Sequence, residues 1–296
     1  MSRITHRLAA SAAVAAVAAL AVAGLASPAA AAEDPTTVAY VEVNDNELRH
    51  VGDYELEDGS NAFDIAIIFA ANINTDASGD AVLHLNEQVQ ATLDDAATQI
   101  RPLQEQGIKV TLSLLGNHDS SGFANFPSQV AAEDFAGQVA DVVTRYDLDG
   151  VDIDDEWVEY GSGGTPAANT DSARWLVDAL DAKLPQGSII SLYDIGETAR
   201  TLQSAPASTI DKLDYVWNPY YGQYNVPRFD LDPARLGPGA VDLTQTSQQI
   251  AASFASRTVS DGYGVFVTYN LTAGDHSGYI SSFTRELNGQ NAVYTG

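Results

Sequence analysis

The sequence predicts an α/β fold in which parallel strands alternate with helices and close into a (β/α)8 TIM barrel. Seven or eight β-type segments alternate with segments that carry apolar residues at helical spacing. Without a predicted leader of 32 residues, 264 of the 296 residues remain, which is about the length of such a barrel. A doubly wound open sheet is the runner-up, but the early G-x-G-x-x-G turn that it favours is missing.

The N-terminal residues 1–32 have the pattern of a secretory signal peptide. Basic residues precede an Ala/Val/Leu-rich run over 8–25, and residues 29–32 offer Ala-x-Ala cleavage sites. The alternative is a membrane anchor, because the run is nearly long enough to span a bilayer, but alanine is a weak membrane former. The sequence therefore predicts a signal peptide, a single barrel domain over 33–296, and a soluble product that is secreted to the extracellular space.

The composition limits the possible partners. With 40 acidic and 14 basic residues the formal net charge is −26, so the chain repels nucleic acids and anionic membranes. The chain has no cysteine, which excludes disulfides and thiolate metal sites. A neutral partner such as a sugar meets no electrostatic objection. We expect no nucleic-acid partner, no membrane partner, no metal and no cofactor.

Three strands and two helices are predicted before an acidic segment. The stretch 38–44 is rich in β-formers, and 64–70 is continuously apolar, as in a strand that is buried on both faces. Helical spacing predicts a helix over 87–101, and a third strand follows at 108–115. A second helix is predicted over 128–146. Its predicted inner face consists of Val130, Phe135, Val139, Val142 and Val143.

Beyond the acidic segment the predicted elements become shorter. A helix over 172–184 and a strand over 188–193 are followed by a short strand at 215–218. The stretch 229–239 is rich in Pro and Gly and leads into a possible strand at 240–243. Because full helices have little room here, we expect the barrel to be irregular around strands five to seven. The remaining predicted elements are a helix at 246–259, a strand at 264–270 and a closing helix that includes 281–287.

The most informative segment is 149–156, which packs five carboxylates into eight residues. On a strand, alternation places Asp152, Asp154 and Glu156 on one face, while Val and Ile take the other. Like charges side by side raise some of the pKa values. A protein tolerates that where one carboxyl must hold a proton while its neighbour stays ionised. The segment therefore predicts paired carboxylates for general acid and base chemistry.

Two plainer interpretations of this segment explain less of its pattern. A chain with 40 acids forms acidic clusters by chance on solvated faces, but that does not explain the alternating Val and Ile. A calcium loop of the helix-loop-helix type requires a Gly at its sixth position, and here Gly150 is the second residue of the segment. Paired carboxylates therefore remain the favoured interpretation.

Amides and aromatic residues recur where the predicted strands end. Active sites of such barrels lie at the carboxyl ends of the strands, so these side chains should surround the acids. Flat aromatic surfaces with neutral amides suit a sugar, although the aromatic residues near 217–224 could equally belong to the core. The residues at these positions are Asn44, Asn72, Asn117, Tyr193, Trp217, Asn218, Tyr220, Tyr269 and Asn270.

The segment 149–156 reads D-G-V-D-I-D-D-E and matches D-G-x-D-x-D-x-E, the signature of the family-eighteen glycoside hydrolases, the chitinase family. Further stretches resemble the secreted endo-β-N-acetylglucosaminidases of that family, and the likeness extends from Thr36 to the C-terminus. They are 38–44, 65–74, 116–118, 122–127 and 217–222.

The resemblance implies a substrate-assisted retaining mechanism, in which the substrate's acetamide replaces an enzyme nucleophile. In that mechanism Glu156 is the general acid and base, and ionised Asp154 orients the acetamide and stabilises the positive intermediate. The resemblance also implies that Asp152 shares a proton with Asp154, and that Asn218 and Tyr220 contact the acetamide. The other residues at strand ends would bind substrate.

The resemblance further implies a monomeric endo-β-N-acetylglucosaminidase that acts on the N-linked glycans of glycoproteins. It would cut between the two core N-acetylglucosamines of high-mannose and hybrid glycans and leave one sugar on asparagine. Two alternatives stay open: a chitinase-type hydrolase and a non-catalytic glycan-binding barrel. The intact Glu156 argues against a non-catalytic protein.

Overall fold

Nine parallel strands form a nearly closed barrel in the computed structural model, which describes residues 34–296. Within residues 34–296 there are twelve strands, of which β2, β4 and β12 lie outside the barrel: β1 (Thr36–Glu42), β2 (Tyr54–Leu56), β3 (Ile65–Thr75), β4 (Ala81–His84), β5 (Lys109–Leu115), β6 (Gly150–Asp154), β7 (Ile189–Tyr193), β8 (Tyr215–Trp217), β9 (Leu236–Gly237), β10 (Gly239–Asp242), β11 (Val265–Tyr269) and β12 (Ala292–Tyr294). The α-helices are α1 (Glu87–Asp94), α2 (Ala96–Gln99), α3 (Arg101–Glu105), α4 (Gln129–Tyr146), α5 (Ser172–Lys183), α6 (Gly196–Leu202), α7 (Ala207–Ile210), α8 (Gln248–Asp261) and α9 (Ser277–Leu287).

The predicted signal peptide lies outside the described residues and stays a prediction. No helix within the described range is long and apolar enough to cross a membrane.

The barrel strands follow the order β10-β11-β1-β3-β5-β6-β7-β8-β9. Only Pro238 separates β9, which pairs with β8, from β10, which pairs with β11. Proline has no backbone N–H to donate, so the chain changes partners there, and the two short strands share one position of an eight-position barrel. The predicted (β/α)8 architecture and its irregularity are thus confirmed.

The helical layer is thin on the irregular side. Between β7 and β8 the described chain has only two short helices, α6 and α7, and between β8 and β9 it has one 3-10 turn, Pro233–Arg235. These elements cannot cover the sheet as the longer α4 and α5 do. The sequence prediction that full helices have little room here is confirmed.

Two predictions about individual helices were wrong. The predicted helix over 87–101 is three short helices, because Asp95 leaves helical geometry and Pro102 lies in the first turn of α3. Val130 is 63% exposed, although it was assigned to the inner face. It precedes the buried Ala132 by two positions, about 200° around the helix.

The two faces of β6 enter different environments. Val151 and Ile153 are fully buried against the helices. Asp152 and Asp154 take the alternate positions and are 0% and 2% exposed. The alternation that the sequence predicted is confirmed, and it places two carboxylates inside the barrel.

The sequence missed two small features, the antiparallel pairing of β4 with β3 and that of β12 with β2.

Candidate active site

Asp152 lies at the centre of the barrel between two serines. The register of β6 pairs it with Ser113 of β5 and Ser191 of β7. Because residues in register on parallel strands face the same side, all three side chains meet in the interior. The Ser191 hydroxyl donates to Asp152 Oδ1 at 2.7 Å, and the Ser113 hydroxyl donates to Oδ2 at 3.2 Å.

A tyrosine completes the surroundings of Asp152. The Tyr40 hydroxyl donates to Asp152 Oδ2 at 2.7 Å, and Trp217 Nε1 donates to the Tyr40 oxygen at 2.8 Å. Burial raises the pKa of Asp152 to about 6, although its three hydroxyl partners oppose the shift. Both carboxylate oxygens are therefore occupied, and no hydrogen bond joins Asp152 to Asp154 in the described structure. The sharing of a proton between these two residues stays a prediction.

Asp154 is buried, and one of its carboxyl oxygens lacks a hydrogen-bond partner in the described structure. Its Oδ1 has no hydrogen-bond partner among the described residues. Burial, and then the charges of Glu156, Asp152 and Asp155, raise its pKa well above the usual range. A buried polar atom without a partner costs about 1–3 kcal/mol, so native proteins rarely keep one without a role. Asp154 is available to bind a ligand that carries a hydrogen-bond donor.

Glu156 lies just past the end of β6, so a turn rather than the strand sets its position. The side chain is half-buried, and burial raises its pKa. The neighbouring loop approaches very closely at Gly116, where a Cβ would lie 2.0 Å from the Glu156 carbonyl oxygen. The Gly116 N–H also donates to the Asp154 carbonyl at 2.8 Å. The loop after β5 thereby fixes the backbone that carries the acid.

Trp157 follows Glu156 in a left-handed conformation with φ of 68°. Its side chain is 57% exposed, and its ring centroid lies 5.6 Å from that of His118. A non-glycine residue in this region costs about 1–3 kcal/mol and persists where its surroundings enforce it. The turn therefore presents an aromatic surface directly beside the acid.

Asp155 points away from the barrel interior and anchors the same turn. It accepts hydrogen bonds from the Tyr160 hydroxyl at 2.7 Å and the Thr198 N–H at 2.8 Å. Gly196, with φ of 74°, lets the next loop approach, since a Cβ there would lie 2.2 Å from the Asp155 carbonyl oxygen. The sequence assigned no role to Asp155, yet it links the loop after β6 to the segment after β7 beside Glu156.

A wall of tyrosines faces the carboxylates. The Tyr193 hydroxyl is hydrogen-bonded to that of Tyr221, and the Tyr221 ring stacks on Tyr269 with centroids 4.9 Å apart. Burial is the main cause that raises the pKa of Tyr221 well above its usual value, and the charge of Asp154 adds to it. The predicted residues Tyr193 and Tyr269 thus lie in this wall. Sequence reasoning placed Tyr220 here, but the neighbouring Tyr221 occupies the position.

Three of the predicted asparagines, Asn44, Asn72 and Asn117, lie at the same end of the barrel. Asn72 lies in register with Leu115, which in turn pairs with Asp154. The Asn117 amide donates to Asn74 at 2.8 Å, and Asn44 accepts from Asn86 at 3.1 Å. The structure therefore brings these amides to the level of the carboxylates. Their contact with substrate remains a prediction.

Two predicted substrate contacts are corrected by burial. Asn218 is 1% exposed, and its Nδ2 donates to the carbonyl oxygens of Gln223 at 2.7 Å and Pro238 at 3.0 Å. Its amide therefore holds a loop in place. Trp217 has no exposed surface, and its indole N–H donates a hydrogen bond to the Tyr40 hydroxyl. Tyr220 is 47% exposed and lies outside the tyrosine wall.

The buried carboxylate Asp152 predicts how stability changes with pH. Its pKa rises from the ordinary 3.8 to about 6 on folding, so the folded chain holds this proton more tightly. Its contribution to the free energy of unfolding is therefore greatest below about pH 4 and falls as the pH rises through 6. A shift of this size corresponds to about 3 kcal/mol. Thermal unfolding of the wild type between pH 4.5 and 7.5 should show a falling midpoint.

The substitution Asp152→Asn isolates this contribution from general charge repulsion, because it removes the titrating group. The decline with pH should be shallower in Asp152→Asn than in the wild type. Asp141→Asn, at an exposed position of α4, should leave the slope unchanged. A wild-type midpoint that rises from pH 5 to 7, or equal slopes in wild type and Asp152→Asn, would contradict the assignment.

No group of three or more His, Cys, Asp or Glu side chains within residues 34–296 is arranged to hold a metal ion. The chemistry that the site supports is carried by its carboxylates. A half-buried acid lies beside a buried carboxyl with free hydrogen-bonding capacity, and tyrosines and amides surround both. This arrangement can deliver a proton to a bound substrate and contact a polar N–H group on it.

Comparison with known proteins agrees with this geometry. The family model of the glycosyl hydrolases family 18 matches residues 36–228. An endo-beta-N-acetylglucosaminidase from Flavobacterium sp. (strain SK1022) is 59% identical over 261 residues, covering 88% of this chain and 82% of the relative. Endo-beta-N-acetylglucosaminidase F1 from Elizabethkingia meningoseptica is 31% identical over 277 residues, covering 87% and 79%.

A solved structure extends the comparison to three dimensions. EndoBT-3987 of Bacteroides thetaiotaomicron with a Man5GlcNAc product superposes with a TM-score of 0.75 at 28% sequence identity. The match covers 88% of this chain, and this chain spans 62% of that one. The same protein is also known with a Man9GlcNAc2Asn substrate. Because the family model covers more than half of the chain and both relatives agree with it, the chain belongs to family 18 of the glycosyl hydrolases.

Proposed function

We propose that the protein is an endo-β-N-acetylglucosaminidase that hydrolyses the bond between the two core N-acetylglucosamines of N-linked glycans. The observation that carries the proposal is the buried Asp154 Oδ1 next to Glu156, which has no hydrogen-bond partner among residues 34–296. A sugar with a 2-acetamido group supplies the N–H donor that Asp154 lacks. The Flavobacterium relative, at 59% identity, supports the same activity.

In the first step the acetamide carbonyl oxygen of the sugar attacks its own anomeric carbon. The glycosidic C–O bond breaks as Glu156 gives its proton to the leaving oxygen. The raised pKa of Glu156, which burial causes, keeps that proton available closer to neutral pH. In the second step Glu156 takes a proton from water as the water oxygen bonds to the anomeric carbon. The bond between that carbon and the acetamide oxygen breaks, which opens the cyclic intermediate and retains the anomeric configuration.

Asp154 acts on the acetamide nitrogen. In the ligand-free site burial favours its protonated form, because its pKa is well above the usual range. A positive charge develops on the substrate during the reaction, and a nearby opposite charge favours an ionised carboxylate. Asp154 therefore releases its proton to solvent when the substrate binds, and the resulting carboxylate accepts the acetamide N–H and stabilises the positive intermediate. Beside it, the hydroxyls of Tyr40 and Ser191 hold the Asp152 carboxylate in place by hydrogen bonds.

The glycans that we propose as substrates are of the high-mannose and hybrid types. EndoBT-3987 has been solved with Man5GlcNAc product and Man9GlcNAc2Asn substrate, which supports this class. The net charge of −26 disfavours sialylated branches, because like charges repel. We further propose that the N-terminal leader directs secretion, and that the mature enzyme acts as an extracellular monomer.

Digestion of two glycoproteins, one high-mannose and one with sialylated complex glycans, tests this function. Mass spectrometry of the high-mannose protein should show one N-acetylglucosamine left on each asparagine, whereas the complex glycans should stay largely intact. Glu156→Gln is the inactive control. Bare asparagine products would contradict the proposed bond, and equal release of both glycan classes would contradict the proposed preference. Chitobiose released from chitin without action on glycoproteins would favour a chitinase instead.

A further inference from the structure

We infer that Tyr160 is a positioning residue for the general acid. The inference rests on the function proposed above and concerns a side chain outside the carboxylate cluster. Tyr160 lies four residues after Glu156, and its hydroxyl connects the turn that carries the acid to the loop after β5. Through this connection the Tyr160 hydroxyl sets how fast Glu156 delivers its proton, without contributing to the affinity for the glycan.

The Glu156 side chain depends on its backbone for its position. Burial raises the pKa of its carboxyl, and no hydrogen bond from residues 34–296 holds that group. Because β6 has already ended at Asp154, regular strand geometry does not fix the residue either. A misplacement of about 1 Å can lower a rate about 100-fold. The acid therefore requires contacts that fix the residues next to it.

Asp155 supplies such a contact, since it lies between the two catalytic carboxyls in the chain. It is 4% exposed, and both of its carboxylate oxygens are held. Oδ1 accepts from the Tyr160 hydroxyl at 2.7 Å, and Oδ2 accepts from the Thr198 N–H at 2.8 Å. Burial, and then the charge of Asp155, raise the pKa of Tyr160 above its usual value. The hydroxyl therefore keeps its proton and remains a donor in neutral and acidic solution.

The Tyr160 hydroxyl also joins the loop after β5. It accepts a hydrogen bond from the Ala124 N–H at 3.2 Å. Gly122 of the same loop leaves room for the ring, since a Cβ there would lie 2.3 Å from the hydroxyl oxygen. The Gly122 N–H donates to Asn125 Oδ1 at 2.9 Å, and the Asn125 amide donates to a backbone carbonyl of the same loop. The hydroxyl thus ties the turn of the acid to a loop that is itself well anchored.

Tyr160→Phe tests the inference because it removes only the hydroxyl. On a high-mannose glycopeptide kcat should fall about 10- to 100-fold, while KM should stay within about twofold of the wild-type value. Tyr146→Phe is the matched control. The Tyr146 hydroxyl also donates to a carboxylate, that of Asp94, at 2.9 Å and accepts from Gln90 Nε2 at 2.8 Å, but it does so between α1 and α4. Its removal should leave kcat unchanged.

A substrate that does not need the acid separates positioning from general damage. The 4-nitrophenolate group leaves as an anion, so its release from the 4-nitrophenyl glycoside of Man9GlcNAc requires no proton from Glu156. In a single turnover, which isolates the first step, the rate for Tyr160→Phe should stay within about twofold of the wild-type rate.

Gly122→Ala perturbs the same hydroxyl from the other loop, because the added Cβ displaces it. It should reproduce the pattern of Tyr160→Phe, and it decides the matter if Tyr160→Phe does not fold. Gly137→Ala on α4, where a Cβ would meet nothing within 4 Å, should behave like the wild type.

Three results would overturn the inference. They are a wild-type kcat in folded Tyr160→Phe, a raised KM at unchanged kcat, and equal losses on the glycopeptide and the nitrophenyl glycoside. Equal losses would show that the whole site, and not the acid alone, is disturbed. A wild type that releases no glycan from any glycopeptide would overturn the proposed function instead.

Discussion

Replacing Glu156 by Gln should abolish nearly all hydrolysis, because the amide keeps the shape of the side chain but cannot give or take the proton. Loss of a general acid typically costs about 10²–10⁴-fold in rate. Here the same residue serves both steps, so we expect the upper end of that range. The measurement is kcat on a high-mannose glycopeptide, with product quantified by mass spectrometry.

Glu159→Gln is the matched control for this prediction. Glu159 lies three residues further along the same turn and is exposed, so its replacement should leave the rate unchanged. A Glu156→Gln enzyme that keeps a tenth of wild-type turnover would remove Glu156 from the role of general acid.

Replacing Asp154 by Asn should separate formation of the intermediate from its use. The substitution removes the charge that stabilises the positive intermediate, and such contributions are worth roughly 3–4 kcal/mol. We therefore expect hydrolysis of glycopeptides to fall by about 10²–10³-fold. A synthetic sugar oxazoline already contains the closed ring, so Asp154→Asn should still transfer it to an N-acetylglucosamine acceptor.

The folding of the Asp154→Asn protein provides an internal control. Because Asp154 Oδ1 has no partner among the described residues, the amide removes no hydrogen bond there, and the midpoint of thermal unfolding should not fall. Normal glycopeptide hydrolysis by a folded Asp154→Asn enzyme would contradict the substrate-assisted mechanism through this residue.

The parts of the site that follow a simple period could be predicted from sequence. Strand alternation put Asp152 and Asp154 inside the barrel and Val151 and Ile153 outside it, as found. The same rule stopped being valid at Glu156, because β6 ends at Asp154. The position of the acid then depends on close contact with Gly116, which comes from a distant part of the chain. No local pattern encodes that contact.

The errors arose where a single residue decides between two faces. Tyr220 and Tyr221 are adjacent, and one lies outside the tyrosine wall while the other lies in it. The amino-acid composition of this stretch cannot show which of the two tyrosines lies in the wall. The amide of Asn218 could face either a ligand or a loop, and its two backbone carbonyl partners become visible only in three dimensions. The seventh barrel position escaped a clear assignment because Pro238 divides it into two short strands.

The thin helical layer after β8 has a consequence for how such enzymes diverge. The stretch from Asn218 to Asp232 contains no α-helix in the described structure, and several of its residues up to Arg228 line a cavity beside the loop after β7. A segment without a helix does not need the fixed spacing of apolar residues that packing against the sheet requires. Doubling the length of a loop adds only about 0.6 kcal/mol to the entropic cost of closing it. Insertions and deletions can therefore accumulate here across lineages without disturbing the acids of β6. The length of this segment can therefore change while the carboxylates keep their positions.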